Sequence, residues 1–207
     1  AEISLPVMPG ALELGTEEEA AIINVIRSQR LGRYGSPWET PSQVDAFEKM
    51  FAEHMKAKFC LGVSSGTAAL HCALIGLGIG AGDEVIVPAY TWMSTATTVC
   101  NVGAVPIVAD VDESLTLDPD DVKRRISPYT RAILVVHMRG ASARMDRIQA
   151  IAQKHRLFVI EDAAQAMGGG FRGNRLGTIG DAGCFSMQTF KILCVGEGGV
   201  VIARDEK

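Results

Sequence analysis

The sequence has little that would support a metal centre, a disulfide framework or a membrane anchor. Its four histidines, His54, His71, His137 and His155, are scattered without metal-ligand spacing. Its cysteines are odd in number and include no Cys-x-x-Cys pair, so neither disulfides nor a zinc ribbon is predicted. No apolar run approaches the ~20 residues of a membrane-spanning helix, and the first residues lack a signal-peptide layout. We therefore expect a cytoplasmic protein without a metal or a membrane partner.

The sequence also lacks an excess of positive charge. The formal net charge is −4, which argues against a nucleic-acid-binding surface. The basic residues at 123–125 form only a short cluster, which is typical of a solvated helix C-terminus that complements the helix dipole. The chain has 207 residues, 47% of them hydrophobic, so it is long enough to bury a substantial core.

Helix and strand patterns alternate along the chain, which predicts an α/β fold with a mostly parallel sheet covered by helices on both faces. Thr16 and Glu19 are predicted to form a capping box, and Asp118 followed by Pro119 predicts a helix start. Helices are predicted at 16–30, 42–57, 67–77, 93–102, 119–125 and 145–155. Strands are predicted at 59–63, 84–87, 105–109, 132–136, 157–161, 183–186 and 199–203.

One lysine near the end of the chain stands between apolar runs in a loop with few other charges. Lys191 follows Phe-Ser-Met-Gln-Thr-Phe at 185–190 and precedes Gly-Glu-Gly-Gly at 196–199. We expect its ammonium group to be desolvated. Desolvation disfavours the charged form and leaves an amine nucleophile suited to a Schiff base with an aldehyde cofactor. A surface lysine in a glycine-rich turn is the alternative when this segment is taken alone.

Two upstream segments favour the chemical interpretation. Residues 64–70 read Ser-Ser-Gly-Thr-Ala-Ala-Leu directly after a predicted strand, and small residues that open a helix there can hold a phosphate group. Helix caps use the same residues, so this signal alone leaves both options open. Asp162 lies where the apolar run at 157–161 ends, at the edge of the sheet where ligands bind. It could hold a protonated ring nitrogen, as pyridoxal phosphate requires, or cap a helix.

Together these segments resemble the sugar aminotransferases of the DegT/DnrJ/EryC1/StrS family. The resemblance runs from about residue 12 to the end and includes Gly-Asp-Glu-Val-Ile-Val-Pro at 82–88, Tyr-Thr-Trp at 90–92 and Glu-Asp-Ala-Ala-Gln-Ala at 161–166. It implies the type I, aspartate-aminotransferase-like fold and pyridoxal 5′-phosphate as cofactor. The implied reaction moves an amino group from glutamate or glutamine to a keto sugar or related polyol, through pyridoxamine phosphate.

The resemblance also assigns roles to individual residues. Lys191 would form the internal aldimine and shuttle the proton between the substrate carbon and the cofactor. Asp162 would hold the pyridinium, and Gln165 would bond the ring hydroxyl oxygen.

Further roles concern the phosphate and the face of the ring. Gly66, Thr67 and Ser186 would bind the phosphate, and Trp92 would stack on the ring, although an aromatic residue at this place in a sequence is more often part of a core.

Two further residues are candidates for substrate binding. Tyr34 belongs to an aromatic loop at 32–38 that either lines the substrate mouth or forms a dimer contact. Arg139 stands where many family members have His-x-Tyr-Gly. Its guanidinium could recognise a carboxylate or a phosphate, and a solvent-facing arginine is the alternative.

The resemblance implies that residues 1–40 form an N-terminal helix and the substrate or dimer loop, and that residues 41–207 form a large cofactor-binding domain. Family members are about twice as long, so we expect a fragment or one half of a split protein that lacks the smaller C-terminal domain. We also expect a homodimer.

Two other functions stay open at this point. One is a sugar dehydratase of the same fold that depends on pyridoxamine phosphate; since those relatives replace the lysine with histidine, Lys191 counts against it. The other is a catalytically silent regulatory or binding protein on the same scaffold.

Overall fold

The computed structural model describes residues 13–33 and 42–204. The helices are α1 (Thr16–Ser28), α2 (Gln43–Met55), α3 (Gly66–Gly76), α4 (Ser94–Asn101), α5 (Pro119–Arg125) and α6 (Met145–His155), with a 3₁₀ turn at Met138–Gly140. The strands are β1 (Phe59–Val63), β2 (Glu84–Pro88), β3 (Val105–Ala109), β4 (Thr130–Val136), β5 (Phe158–Asp162), β6 (Gly170–Phe171), β7 (Asn174–Arg175), β8 (Ala182–Ser186) and β9 (Gly199–Ala203). The predicted elements therefore all occur, with bounds that differ by a few residues at most.

Seven of these strands form one sheet in the order β1-β9-β8-β5-β4-β2-β3. The predicted mostly parallel sheet is confirmed, because the neighbouring pairs from β8 to β3 are all parallel. Strand β9 is antiparallel to both β1 and β8. The segment between β8 and β9 contains no crossover helix in the structure, so the chain returns from the same edge of the sheet in the reverse direction. This return loop carries Lys191.

Both faces of the sheet are covered by apolar side chains. Val85 and Val87 of β2 share one core cluster with Leu74 of α3, while Ile86 between them belongs to a second cluster with Ile148 of α6. This alternation follows from the two-residue period of a strand. A sheet buried on both faces leaves its carboxyl edge as the place where polar side chains can meet.

A third cluster places α2 over the β8 and β9 side of the sheet. Phe51 and Met55 are buried, and the Phe51 ring meets the Phe185 ring of β8 edge-on, with centroids 5.3 Å apart. Ser42 caps this helix as its oxygen accepts from the Asp45 N–H at 3.1 Å.

The predicted capping box of the first helix is wrong by one residue. The N-cap is Gly15, and the Glu18 carboxylate accepts from the Gly15 N–H at 2.8 Å. Thr16 is therefore the first helical residue. The sequence pattern could not distinguish Glu18 from Glu19 as the capping partner, because residues 17–19 are all glutamate. The start at Asp118 and Pro119 is confirmed, since Asp118 accepts from the Asp120 N–H at 2.9 Å.

Some predictions concern residues outside the described ranges. Tyr34 and the predicted boundary between residues 40 and 41 are among them, so both stay predictions. Conversely, the short β6–β7 hairpin within 170–175 was not predicted, because each strand has only two residues and shows no alternation.

Candidate functional site

A cavity of about 510 Å³ lies at the carboxyl ends of the parallel strands. Seven of the predicted site residues line it together: Gly66, Thr67, Trp92, Asp162, Gln165, Ser186 and Lys191. They come from four separate connections of the sheet, which meet because parallel strands end at the same edge. The spatial convergence that the sequence could only suggest is thus present in the fold.

Asp162 is the buried charge of this cavity. Only 7% of the residue is exposed, and its oxygens accept from the Ala164 N–H at 3.1 Å and the Thr95 hydroxyl at 3.3 Å. Burial raises the pKa of the Asp162 carboxyl, and the bonds from Ala164 and Thr95 and the charge of Lys191 lower it only in part. A cationic N–H group placed in the cavity would offset the free-energy cost of burying the ionised carboxylate. The Asp162 carboxylate, which accepts hydrogen bonds, therefore fits a protonated ring nitrogen.

The start of α3 forms one wall of the cavity. Ser65 is the N-cap, and its hydroxyl oxygen accepts from the Ala68 N–H at 3.0 Å. The N–H groups of Gly66 and Thr67 belong to the first turn, where a helix offers no internal acceptor. These groups and the positive end of the helix dipole suit a phosphate.

Ser186 joins this wall from the end of β8. A Cβ atom at position 66 would stand 2.8 Å from the Ser186 Cβ, so only glycine permits the approach. The Thr67 hydroxyl donates to the Ser94 hydroxyl at 2.9 Å, which ties α3 to the start of α4. Three elements thus hold the predicted phosphate-binding residues next to one another.

Lys191 lies on the loop between β8 and β9 and lines the same cavity. Its backbone N–H donates to the Gln188 carbonyl at 2.8 Å, which forms a turn. The expected desolvation of the lysine is not seen, because the residue is only half-buried. Its apolar neighbours Phe190 and Ile192 are 67% and 54% exposed and do not cover it. Lys191 thus lies beside the cavity and is less buried than the sequence pattern predicted.

Gln165 and Arg139 are linked through the backbone. The Arg139 N–H donates to the Gln165 side-chain oxygen at 2.9 Å. Arg139 is exposed and is not among the residues that line the cavity, so its predicted contact with a substrate anion stays a prediction. Its contribution in this structure is the N–H group that holds the Gln165 amide.

Trp92 lies at the mouth of the cavity and is 68% exposed. It follows β2 and precedes α4 in the chain. The exposed position excludes the core role that the sequence left open.

Sequence reasoning missed Thr95, which is fully buried on α4. Its hydroxyl donates to Asp162 and lies 2.8 Å from the Thr91 hydroxyl. The segment at 94–98 is rich in threonine and serine, but such residues are ordinary near a helix start and gave no distinctive signal. Ser94, Gln188 and Glu197 also line the cavity and were not predicted.

A second cavity, of about 430 Å³, lies on another part of the surface and is lined by none of the predicted site residues. Its charged lining includes Lys56, Arg175, Asp181 and Arg204. The Asp181 carboxylate is already used, because it accepts from the Val159 N–H at 2.7 Å. The cavity with Asp162 and Lys191 is therefore the candidate site.

Two classes of site are absent from the described residues. Within 13–33 and 42–204, no group of three or more His, Cys, Asp or Glu side chains could hold a metal ion. In the same ranges, no helix has the length and apolar character needed to cross a bilayer.

Comparison with known proteins identifies related chains over nearly the whole sequence. The family model for the DegT/DnrJ/EryC1/StrS aminotransferase family matches residues 13–207. An L-glutamine:2-deoxy-scyllo-inosose aminotransferase from Streptomyces kanamyceticus is 45% identical over 186 residues, which cover 89% of this chain and 44% of the relative. A GDP-perosamine synthase from Caulobacter vibrioides is 43% identical, over 77% of this chain and 43% of the relative.

Solved structures agree with the fold. The PLP form of a sugar aminotransferase described as putative, from Streptococcus pneumoniae, superimposes with a TM-score of 0.86 at 25% identity, covering 98% of this chain and 53% of that one. The chain spans about half the length of the relatives that it matches.

Proposed function

The chain belongs to the DegT/DnrJ/EryC1/StrS aminotransferase family, and from this membership and the geometry of the cavity we propose that it is the cofactor-binding part of a sugar aminotransferase that uses pyridoxal 5′-phosphate. The observation that carries the proposal is the meeting of a lysine, a buried aspartate and a helix N-terminus around one cavity. The reaction would move an amino group from glutamine or glutamate to the keto group of a sugar or cyclic polyol.

When bound, pyridoxal phosphate supplies an aldehyde and a protonated ring that withdraws electrons from the reacting carbon. The Asp162 carboxylate would keep the ring nitrogen protonated. Its burial strengthens this interaction, since a charge pair attracts more strongly where water is excluded. Thr95 and Ala164 hold the two carboxylate oxygens and so fix its direction.

The remaining polar groups would orient the cofactor. The N–H groups of Gly66 and Thr67 and the Ser186 hydroxyl would hold the phosphate at the positive end of α3. Trp92 would pack on one face of the ring. An aromatic contact of this kind contributes roughly 0.5–1.5 kcal/mol beyond buried area.

Lys191 would act on the reacting carbon itself. Its amine would bind the cofactor aldehyde and, once displaced by the incoming amino group, would move a proton at the substrate carbon. Lys191 is only half-buried, which leaves room for its side chain to swing between these positions. Gln165 would donate to the ring hydroxyl oxygen.

The substrate is proposed from the relatives. The similarity to an L-glutamine:2-deoxy-scyllo-inosose aminotransferase supports glutamine as donor and a hydroxylated ring ketone as acceptor. Roles for Tyr34 and Arg139 in substrate binding, a homodimer and a cytoplasmic location stay predictions. Retention of Lys191 argues against the dehydratase alternative, and retention of the lysine, aspartate and glutamine together argues against a silent scaffold.

Borohydride labelling tests the proposal directly. The protein is incubated with pyridoxal phosphate, reduced with borohydride and digested, and the peptide masses are measured by mass spectrometry. We expect the cofactor mass on the peptide that contains Lys191, and loss of the cofactor absorption band in Lys191→Ala. Subsequent addition of glutamine or glutamate to the unreduced protein should bleach the band. Labelling of other lysines to the same extent would refute the assignment. A Lys191-linked band that no amino acid bleaches would favour the silent scaffold.

A further inference from the structure

Two buried titratable side chains lie next to the cavity without lining it. His137 and Glu161 are both 0% exposed, and the His137 Nε2 atom is 2.8 Å from the Glu161 Oε2 atom. Glu161 directly precedes Asp162 in β5, so their side chains point to opposite faces of the sheet. The roles described above use neither residue of the buried pair.

The Glu161 carboxylate binds one loop through its backbone. It accepts from the N–H groups of Gly177, Ile179 and Gly180 at 2.8, 2.6 and 2.5 Å. A carboxylate can only accept, so the Nε2 atom of His137 must carry the proton of their shared bond. Three backbone donors on one buried carboxylate fix the loop that precedes β8, and His137 is its fourth donor.

That loop packs directly on β8. A Cβ atom at Gly183 would collide with the Gly177 carbonyl, so no side chain separates the loop from the strand. The same strand ends at Ser186, on the wall of the cavity.

The other ring nitrogen of His137 binds a second loop. The Ala143 N–H donates to His137 Nδ1 at 3.3 Å. This bond joins the two ends of the loop formed by residues 138–142. Arg139 in this loop has φ 53° and ψ 27°, a left-handed conformation that a non-glycine residue keeps only when its surroundings impose it. The bond between Ala143 and His137 fixes the ends of the loop and so helps to impose this conformation.

The held loop determines how the Gln165 amide is turned. The Arg139 N–H can only donate, so the Gln165 atom 2.9 Å away is the amide oxygen. Gln165 lines the cavity. With its oxygen bound to Arg139, its NH₂ group remains available as a donor.

We propose that His137 and Glu161 are positioning residues that hold the loop at 138–142, and that this loop turns the Gln165 amide so that its NH₂ group donates into the cavity. The inference rests on the proposed function in one respect, because the expected acceptor is the ring oxygen of pyridoxal phosphate.

A double-mutant cycle between His137 and Gln165 tests this. His137→Gln can still donate to Glu161 but offers no acceptor to Ala143, whereas His137→Asn places an oxygen near the position of Nδ1. We expect Gln165→Ala and His137→Gln each to weaken binding of pyridoxal phosphate about two- to tenfold, the value of one hydrogen bond. Both should also raise the pH midpoint of the bound-cofactor spectrum equally, since an N–H dipole at the ring oxygen disfavours a nearby proton.

The double variant should be no worse than either single variant, because both remove the same contact. His137→Asn keeps an acceptor for Ala143 but loses the donor to Glu161, so it should shift the midpoint less than His137→Gln does. His155→Gln, at an exposed histidine on α6, is the matched control. Additive effects, or an unchanged midpoint in His137→Gln, would overturn the inference. Should His137→Gln fail to fold, Glu161→Gln combined with Gln165→Ala applies the same criterion.

Failure of the proposed function would look different. It would appear as a wild-type protein without a Lys191-dependent cofactor band. Hydrogen exchange without cofactor would then decide the inference alone. Faster exchange at 138–143 in His137→Gln than in His155→Gln supports it, and equal exchange overturns it.

Discussion

Gly66 and Ser186 are in contact across the cavity wall, and the contact requires the absence of a side chain at position 66. A Cβ atom there would lie 2.8 Å from the Ser186 Cβ and 3.4 Å from its Cα. The second distance involves backbone of β8, which cannot turn away as a flexible side chain could. The glycine therefore sets how closely the α3 N-terminus approaches the strand that leads to Lys191.

The first prediction concerns this contact. Gly66→Ala should lower the free energy of unfolding by about 1–3 kcal/mol, because an added methyl group overpacks the wall. It should also weaken binding of pyridoxal phosphate by about tenfold or more, or ~1.4 kcal/mol, because the phosphate donors move apart. Urea unfolding and a spectroscopic cofactor titration measure the two effects.

Gly76 offers a matched control at the other end of the same helix. A Cβ atom at position 76 meets nothing within 4 Å. Gly76→Ala should leave cofactor binding unchanged and the free energy of unfolding unchanged or raised by up to about 1 kcal/mol. Equal effects of the two substitutions would contradict the proposed close approach.

The sequence predicted the parallel strands and the edge at which their polar residues meet. Asp162, Gly66 and Lys191 each follow or end a strand, so the direction of the strands alone brings them together. The strand periodicity and the turn residues carry this information locally, which is why the sequence alone predicts that these residues meet at one edge of the sheet.

Other features depend on contacts between distant segments. The pairing of β1 with β9 and the bond from Thr95 to Asp162 join residues far apart in sequence, and no local pattern marks them. The burial of Lys191 was overestimated for the same reason. Its apolar neighbours were expected to cover the amine, but Phe190 is 67% exposed.

The second prediction is a pH dependence that originates at Asp162. An aspartate in the unfolded chain has a pKa of about 3.9, and burial raises the pKa of Asp162 in the folded protein. The folded state thus binds this proton more tightly, so the contribution of Asp162 to stability is fully present below about pH 4 and is lost as the pH rises through the folded pKa. Asp162→Asn removes the free-energy cost of burying an ionised carboxylate. The cofactor-free variant should be more stable than the wild type at neutral pH, and the difference should vanish near pH ~4.

Asp121 should show the opposite behaviour. Its side chain accepts from the Asp110 N–H at 2.7 Å and pairs with Arg124, and these contacts hold its pKa below the usual value. Its contribution is present above about pH 4 and is lost as the pH falls. Asp121→Asn should therefore destabilise at neutral pH. Thermal unfolding of both variants between about pH 4 and 8 provides the comparison, and a destabilised Asp162→Asn at neutral pH would refute the assignment.

The third prediction concerns Thr95. Thr95→Val keeps the shape of the side chain and removes the hydroxyl that donates to Asp162. The carboxylate loses one of its two hydrogen bonds, so its pKa should rise further and binding of pyridoxal phosphate should weaken about two- to tenfold. Thr97→Val, at an exposed position of the same helix, should bind like the wild type. Equal affinities for the wild type and Thr95→Val would show that the hydroxyl does not orient the carboxylate.

The fourth prediction separates a stacking role of Trp92 from mere exposure at the cavity mouth. Trp92→Leu removes the aromatic face but keeps an apolar side chain, and the lost stacking of roughly 0.5–1.5 kcal/mol should weaken cofactor binding about two- to tenfold. Trp92→Phe should retain most of the affinity. Met93→Leu is the control, since Met93 is 67% exposed and lies outside the cavity lining. Titration of pyridoxal phosphate by absorbance measures all three variants. If Trp92→Leu binds as tightly as Trp92→Phe, the ring is held without stacking, and the free energy of binding comes from the phosphate wall and Asp162.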